Sequence, residues 1–287
     1  MTLEYKKTFT VIGLSLLITF ILINILQIIS KILCGIFSEG IIYKIIDSSG
    51  VTIGMFLFVI PIISFILRKL PTEAKEKKTA SFHYVFILII ISLGIICLVN
   101  FLRIAFFGFR QNVIVQPQNF SIYILLSCIG AAISEEIIFR KIIFERIRPY
   151  GDKEAIVVSA LAFGLCHMNL WSFLFAFLLG LIWGNITVKT NSIKYSCIIH
   201  IANNIIMVNI LPYVGIFIKK PEIIINAICV FLILLGTLLL LIERKSIIFI
   251  DKTVNGIGIK QIFKNIGMAS FLIISIIVIV FIFIMQL

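Results

Sequence analysis

Two adjacent carboxylates end an uncharged apolar stretch, where charge is costly. Glu135 and Glu136 directly follow the run from Phe120 to Ile133 and Ser134, which has no charged residue. A charged side chain inside a membrane helix costs about 3 kcal/mol on insertion scales, so such residues mark functional sites. A carboxylate in these surroundings suits a general base that removes a proton from water. The pair therefore predicts a hydrolytic site within a membrane bundle.

The second carboxylate has a basic partner in the sequence, whereas the first has none. Glu136 and Arg140 are four residues apart, so they share one helix face and can form an ion pair. That pair by itself is explained as a structural contact at the inner edge of the membrane. Glu135 has no Lys or Arg three or four residues away. We therefore assign Glu135 to catalysis, with Glu136 and Arg140 in supporting roles.

Two later apolar segments also carry isolated polar residues. His167 follows Phe163 at a spacing of four, and Asn204 follows His200 at the same spacing. A single histidine in an apolar helix is as often a hydrogen-bonded core residue as a functional one. Asn203, three residues after His200, is also near that face. Because both histidines and the carboxylates fall within three consecutive spans, we expect them to meet.

A turn between the first two of these segments sets their relative height. Pro, Tyr, Gly and Asp at 149–152 predict a turn. Glu135 and His167 lie about equally far from it, so straight helices place them at nearly the same depth. The sequence thus predicts a carboxylate and an imidazole within reach across an antiparallel helix pair.

The predicted residues fit two hydrolytic mechanisms. In one, Glu135 activates a water with help from His167, while His200 and Asn204 donate hydrogen bonds to the oxyanion, each donor contributing about 3 kcal/mol. In the other, His167, His200 and Glu135 bind a zinc ion that activates the water. The sequence leaves both mechanisms open, so the site is expected to use either no cofactor or a zinc ion. Cys166, beside His167, is a weaker candidate for a nucleophile.

Composition places these residues in a membrane protein. The 287 residues are 61% apolar and 13% charged, and the mean hydropathy is +1.19. Continuous apolar runs near twenty residues predict an all-α polytopic bundle, because spans must satisfy their own backbone hydrogen bonds. The net charge of +12 lies in short loops, so it indicates topology and contact with the lipid bilayer, with no nucleic acid as partner.

The hydropathy pattern predicts eight to nine transmembrane helices. The nine candidate spans are 8–29, 50–67, 82–102, 118–139, 155–168, 170–187, 193–211, 222–242 and 267–286. With a cytoplasmic N-terminus, the inner segments hold 19 of the 25 Lys and Arg residues, which supports that orientation. The loop 30–49 is predicted to be an outer segment. Gly180 and Gly184 predict a close helix contact, and Trp183 is interpreted as an interface anchor.

The three motifs together resemble a known family, the CAAX-protease and bacteriocin-processing (Abi) membrane proteins, which include the type II CAAX prenyl endopeptidases. The family pattern is E-E-x-x-x-R, then F-x-x-x-H, then H-x-x-x-N or a variant, on separate membrane helices. The sequence contains all three in order, at Glu135 to Arg140, Phe163 to His167 and His200 to Asn204. A single motif is weak, but the ordered set within hydrophobic helices is specific. The resemblance covers 118–211.

The resemblance implies an intramembrane endopeptidase that cleaves a membrane-associated protein or peptide. It assigns water activation to Glu135 and the other catalytic roles to His167, His200 and Asn204. The domains are then 1–117, accessory helices; 118–211, the protease-like core; and 212–287, C-terminal helices. Cleavage of prenylated proteins does not carry over, because bacterial members generally lack such substrates.

The biological setting and the rival functions follow from the same features. Richness in Ile, Lys and Asn indicates an AT-rich bacterial genome, and therefore a multi-pass protein of a bacterial cell membrane. The first rival function is a non-enzymatic bacteriocin self-immunity or scaffold protein of the same fold. The second is a secondary transporter, which would require paired repeats that the sequence lacks.

Overall fold

The computed structural model describes residues 3–73, 75–107, 122–214, 221–247 and 258–286, and these segments contain helices and no strand. The α-helices are α1 (Leu3–Phe37), α2 (Gly40–Gly54), α3 (Ile60–Leu67), α4 (Phe82–Phe107), α5 (Ile122–Glu136), α6 (Phe144–Ile147), α7 (Asp152–Leu165), α8 (Leu170–Thr190), α9 (Lys194–Ile205), α10 (Leu211–Val214), α11 (Pro221–Ile247), α12 (Ile259–Phe263) and α13 (Ile266–Ile284). Three π-helical turns, Met55–Val59, Ile137–Ile143 and Ile206–Ile210, join α2 to α3, α5 to α6 and α9 to α10. The all-α fold is therefore confirmed.

Seven helices in the described segments are long and apolar enough to cross a membrane. The chain is a multi-pass membrane protein, as predicted. The seven do not include α7 or the continuous helix α5–α6, although both correspond to predicted spans. The α7 helix has 14 residues and is about 21 Å long, against about 30 Å of hydrocarbon. The segment from Glu135 to Lys141 holds four charged residues. The two helices outside the seven are thus the ones that carry Glu135 and lead to His167. The predicted start of the fourth span, residue 118, lies outside the described residues.

Segment 30–49, predicted as an outer segment that connects two spans, is mostly helical. The first helix continues to Phe37, and the second begins at Gly40 after a two-residue turn. Ser38 and Gly40 both have positive φ, which reverses the chain. The apolar pattern predicted only spans 8–29 and 50–67. The Ile-rich sequence between them contains no proline, so the helices continue beyond the predicted ends. At 35 residues, α1 is about 52 Å long.

Glycines let three helix pairs pack at very short distances. A Cβ at Gly13 of α1 would overlap the backbone of Gly267 in α13. A Cβ at Gly94 of α4 would lie 2.6 Å from the carbonyl oxygen of Leu232 in α11. Small residues at such crossings allow the dispersion contacts that hold membrane helices together.

The predicted close contact of Gly180 and Gly184 lies between α8 and α7. A Cβ at Gly180 would be 2.9 Å from Ala160, and one at Gly184 would be 3.3 Å from Ile156. The Gly180 position also borders a charged group, because its Cβ would lie 3.2 Å from a terminal nitrogen of Arg140. This crossing therefore shapes the polar centre of the bundle as well as its packing.

The crossing of α1 and α13 gives a test of this packing. Gly13→Ala should lower the free energy of unfolding by about 1–3 kcal/mol, because the added methyl group has no space. The matched control is Gly35→Ala in the same helix, where a Cβ would meet nothing within 4 Å. The thermal unfolding midpoint in detergent measures both. Equal midpoints for the two variants would contradict the proposed crossing.

Candidate active site

The site begins with the two carboxylates at the end of α5. A π-helical turn starts immediately after Glu136, and π-helical turns are frequent at functional sites. The chain then turns back through Arg148–Tyr150 and Gly151, whose φ is +146°, into α7. This reversal places α7 beside the π-helical turn, where Ser159 Oγ donates a 2.9 Å hydrogen bond to the Phe139 carbonyl oxygen. Glu135 consequently lies level with the last turn of α7.

Glu136 is fully buried and contacts two basic side chains. Its Oε1 lies 3.4 Å from a terminal nitrogen of Arg140 and accepts a 3.2 Å hydrogen bond from His200 Nδ1. Because a carboxylate oxygen only accepts, the contact fixes a proton on Nδ1. The predicted pair of Glu136 and Arg140 is therefore present, and it extends to a histidine from α9.

Glu135 faces the other nitrogen of the same imidazole ring. Its Oε2 is 3.6 Å from His200 Nε2, an ion-pair distance that is too long for a hydrogen bond. The Glu135 side chain is 22% exposed, whereas that of Glu136 is inaccessible. The histidine thus bridges an accessible and an inaccessible carboxylate, and only Glu135 can reach a water or a substrate.

A single aromatic ring, that of Phe163, lies between the motif residues. Its centroid is 4.3 Å from the Arg140 guanidinium carbon, 4.9 Å from the His167 ring and 5.8 Å from the His200 ring. The face of an aromatic ring attracts a cation, and more strongly where water is excluded. Phe163 therefore orients Arg140 and forms one wall of the site.

Trp183 is part of this wall, so its interpretation as an interface anchor is wrong. It is 1% exposed, and its ring lies 4.3 Å from that of His200. Its indole nitrogen donates to Ser92 Oγ at 3.3 Å. The sequence placed Trp183 near the end of a span but gave no sign that α9 packs against it. The one local signal for burial is that Trp183 follows Gly180 by three residues, which places it near the helix face predicted to pack closely.

His167 lies after the end of α7 and is held by its own helix. Its Nδ1 is 2.8 Å from the carbonyl oxygen of Phe163, which can only accept, so the proton sits on Nδ1. Met168 then takes a left-handed conformation, and Asn169 caps α8 by accepting from two backbone amides. The structure fixes the His167 ring beside Phe163, with Nε2 outside this hydrogen bond.

The two asparagines of α9 have different surroundings. Asn204 Nδ2 donates to the Cys128 carbonyl oxygen at 3.4 Å, which ties α9 to α5 two turns from Glu135. The Asn203 side chain is 1% exposed, and neither of its polar atoms has a hydrogen-bond partner among the described residues. Asn204 is therefore level with a part of α5 that precedes the carboxylates by two turns.

The predicted zinc set does not fit the site as it stands. No group of three His, Cys, Asp or Glu residues in the described part of the chain could hold a metal ion. Nδ1 of each histidine is engaged, by Glu136 for His200 and by the Phe163 carbonyl oxygen for His167, so each Nε2 could serve as a ligand, but these two atoms and Glu135 do not form such a group. Cys166, the weaker candidate for a nucleophile, is 7% exposed beside the end of α7.

The burial of Glu136 makes Arg140 a stability determinant. Arg140→Met should lower the free energy of unfolding by about 3–5 kcal/mol, because it leaves a buried carboxylate without its main cation. The matched control is Lys141→Met, since that side chain is 56% exposed. Adding Glu136→Gln to Arg140→Met should restore part of the thermal unfolding midpoint. An Arg140→Met midpoint equal to that of the control would contradict this account.

Comparison with known protein families finds a match for the region that carries the site. Residues 117–206 match the family model described as type II CAAX prenyl endopeptidase Rce1-like. No curated protein and no solved structure gives a significant match. The matched region contains all three motifs and every residue of the cluster around Phe163. The resemblance drawn from the motifs is thereby confirmed over residues 117–206, which are similar to the type II CAAX prenyl endopeptidase Rce1-like family.

Proposed function

We propose that the protein is an intramembrane endopeptidase that hydrolyses a peptide bond through a glutamate-activated water. The observation that carries the proposal is the different environment of two adjacent carboxylates on one histidine. Glu136 is inaccessible and holds Nδ1, whereas Glu135 is partly exposed and faces Nε2. Neighbouring acidic groups in contrasting environments are typical of divided roles in catalysis. We assign the catalytic core to 118–211, between accessory helices at 1–117 and 212–287.

In this mechanism Glu135 removes a proton from water while the water oxygen bonds to the scissile carbonyl carbon. His200, positioned by Glu136, donates from Nε2 to the oxyanion as a cation. His167 helps to orient the water, since its Nε2 accepts a hydrogen bond when the ring is neutral. Glu135 then transfers its proton to the leaving amine nitrogen as the carbon–nitrogen bond breaks.

Asn204 is the second proposed donor to the oxyanion, and Arg140 is a supporting residue. Arg140 contacts Glu136, which in turn contacts His200, so it acts on the site through Glu136. The predicted zinc mechanism is not proposed, because the described residues do not form a metal-binding group. The substrate is a protein or peptide at the membrane, as the site lies among helices that face lipid.

The central test compares the termini of membrane proteins by mass spectrometry in cells that express wild type or Glu135→Gln at equal levels. We expect peptide ends that occur only with wild type, because the amide cannot take a proton from water. Glu145→Gln is the matched control, since that carboxylate lies on the same continuous helix α5–α6 and pairs with Lys141 rather than with a motif residue. Identical termini in all three would instead favour the self-immunity or scaffold function.

The two asparagines give a separate test of the oxyanion assignment. Asn204→Ala should reduce kcat about 100-fold or more, the loss seen when one oxyanion donor is removed, and Asn203→Ala should reduce it much less. The measurement is the cleavage rate of a substrate identified from the termini. A larger loss for Asn203→Ala would assign the donor to the buried amide that has no partner among the described residues.

A further inference from the structure

A cavity of about 200 Å³ adjoins the candidate active site, with which it shares Arg140. Its charged lining residues are Lys77, Arg140, Lys141, Glu145 and Arg148, so four cations surround one carboxylate. The remaining lining includes polar groups of the turn that follows α8. This composition is unlike the apolar bundle around it, and it indicates a site for an anion.

Some of these cations are already neutralised within the protein. Lys141 contacts Glu145 at 2.6 Å, and Arg148 Nε contacts Asp152 at 2.6 Å. Lys77 forms no ion pair with a described residue. The cavity therefore keeps an excess of positive charge after its internal ion pairs are counted.

Arg140 supplies the strongest indication of a missing partner. It is fully buried, yet its three guanidinium nitrogens make no hydrogen bond to any described residue. Its nearest carboxylate oxygen, on Glu136 at 3.4 Å, is shared with His200. Buried arginines normally donate to several acceptors, and a guanidinium matches the oxygens of a phosphate closely. The unused donors of Arg140 lie at the wall of the basic cavity.

The chain segment that carries Lys77 is fixed in position over the cavity. The backbone nitrogen of Lys78 donates to the Thr190 carbonyl oxygen at 2.8 Å, and Lys75 contacts Asp152 at 3.4 Å. Asn191 Nδ2 also donates to the carbonyl oxygen of Glu76. Lys77 is thus held near the cavity by bonds on both sides of it, which preorganises the site.

We propose that this cavity binds a phosphate group, either the headgroup phosphate of an anionic lipid or a free phosphate ion. Apart from Thr187, its lining residues lie in 68–81, 140–154 and 188–194, three of the inner segments whose Lys and Arg content predicts that they face the cytoplasm. Anionic lipids of that leaflet attract basic residues by about 1 kcal/mol each near the surface. The proposal does not depend on the proposed hydrolysis, since it rests on the charge and burial of the cavity residues.

The lipid arm of the test uses protein in nanodiscs of nine parts phosphatidylcholine and one part phosphatidylglycerol. Native mass spectrometry measures the fraction of protein that retains one phosphatidylglycerol. We expect retention by wild type, about fivefold weaker binding in Lys77→Gln, and about 20-fold weaker binding in Lys77→Gln/Lys141→Gln. Lys78→Gln is the matched control, because it is the adjacent exposed lysine and does not line the cavity.

The free-ion arm titrates inorganic phosphate onto the same proteins in nanodiscs of phosphatidylcholine alone and follows the thermal unfolding midpoint. A saturable rise that Lys77→Gln weakens, without retention of phosphatidylglycerol, would identify free phosphate as the ligand. Retention that depends on Lys77 and Lys141 would identify the lipid. Neither effect, or equal effects in the double variant and Lys78→Gln, would overturn the proposal. All variants are at exposed lysines, so folding is not at risk.

Discussion

The inaccessible carboxylate of Glu136 is the constraint on which the centre of the bundle depends. A charge withdrawn from water must be neutralised locally, or several kcal/mol of stability are lost. Arg140 supplies one contact from the next helical turn, and His200 supplies another from α9. The rings of Phe163 and Trp183 then pack against the Arg140 guanidinium and the His200 imidazole. Four segments of the chain therefore meet at one carboxylate, and the packing of glycine at position 180 leaves the space that Arg140 occupies.

This arrangement gives chemically identical neighbours different properties. Glu136 contacts both Arg140 and His200 and is inaccessible, so it acts as a positioning residue. Glu135 has only the more distant Nε2 of the same ring and keeps access to the site. A histidine fixed at one nitrogen by a buried carboxylate presents its other nitrogen in a defined direction, which is a recurring device in catalytic sites. The buried carboxylate of Glu136 thus orients the His200 ring, which faces the accessible carboxylate of Glu135.

Local spacing predicted the parts of the site that lie within one helix. The interval of four between Glu136 and Arg140 is sufficient to expect their contact, and the turn near Gly151 set the height of α7. For distant segments, the isolated polar residues of three consecutive spans predicted that the histidines and the carboxylates meet, but not which atoms are in contact. The sequence did not show that both ring nitrogens of His200 would face carboxylates, or that Trp183 would stack on that ring. The helical structure of 30–49 was also not predicted, because hydropathy marks the apolar part of a helix and not its full length.

Arg140 connects the candidate active site to the proposed phosphate cavity, because it contacts Glu136 and also lines the cavity. A phosphate beside the guanidinium would weaken the attraction between Arg140 and Glu136. Glu136 would then be held more by His200, its other basic contact. Since coupling between two sites is reciprocal, a change at the active site that loosens the contact of Arg140 with Glu136 would in turn strengthen the binding of the phosphate. The two sites are therefore coupled through a single arginine, which contributes to both.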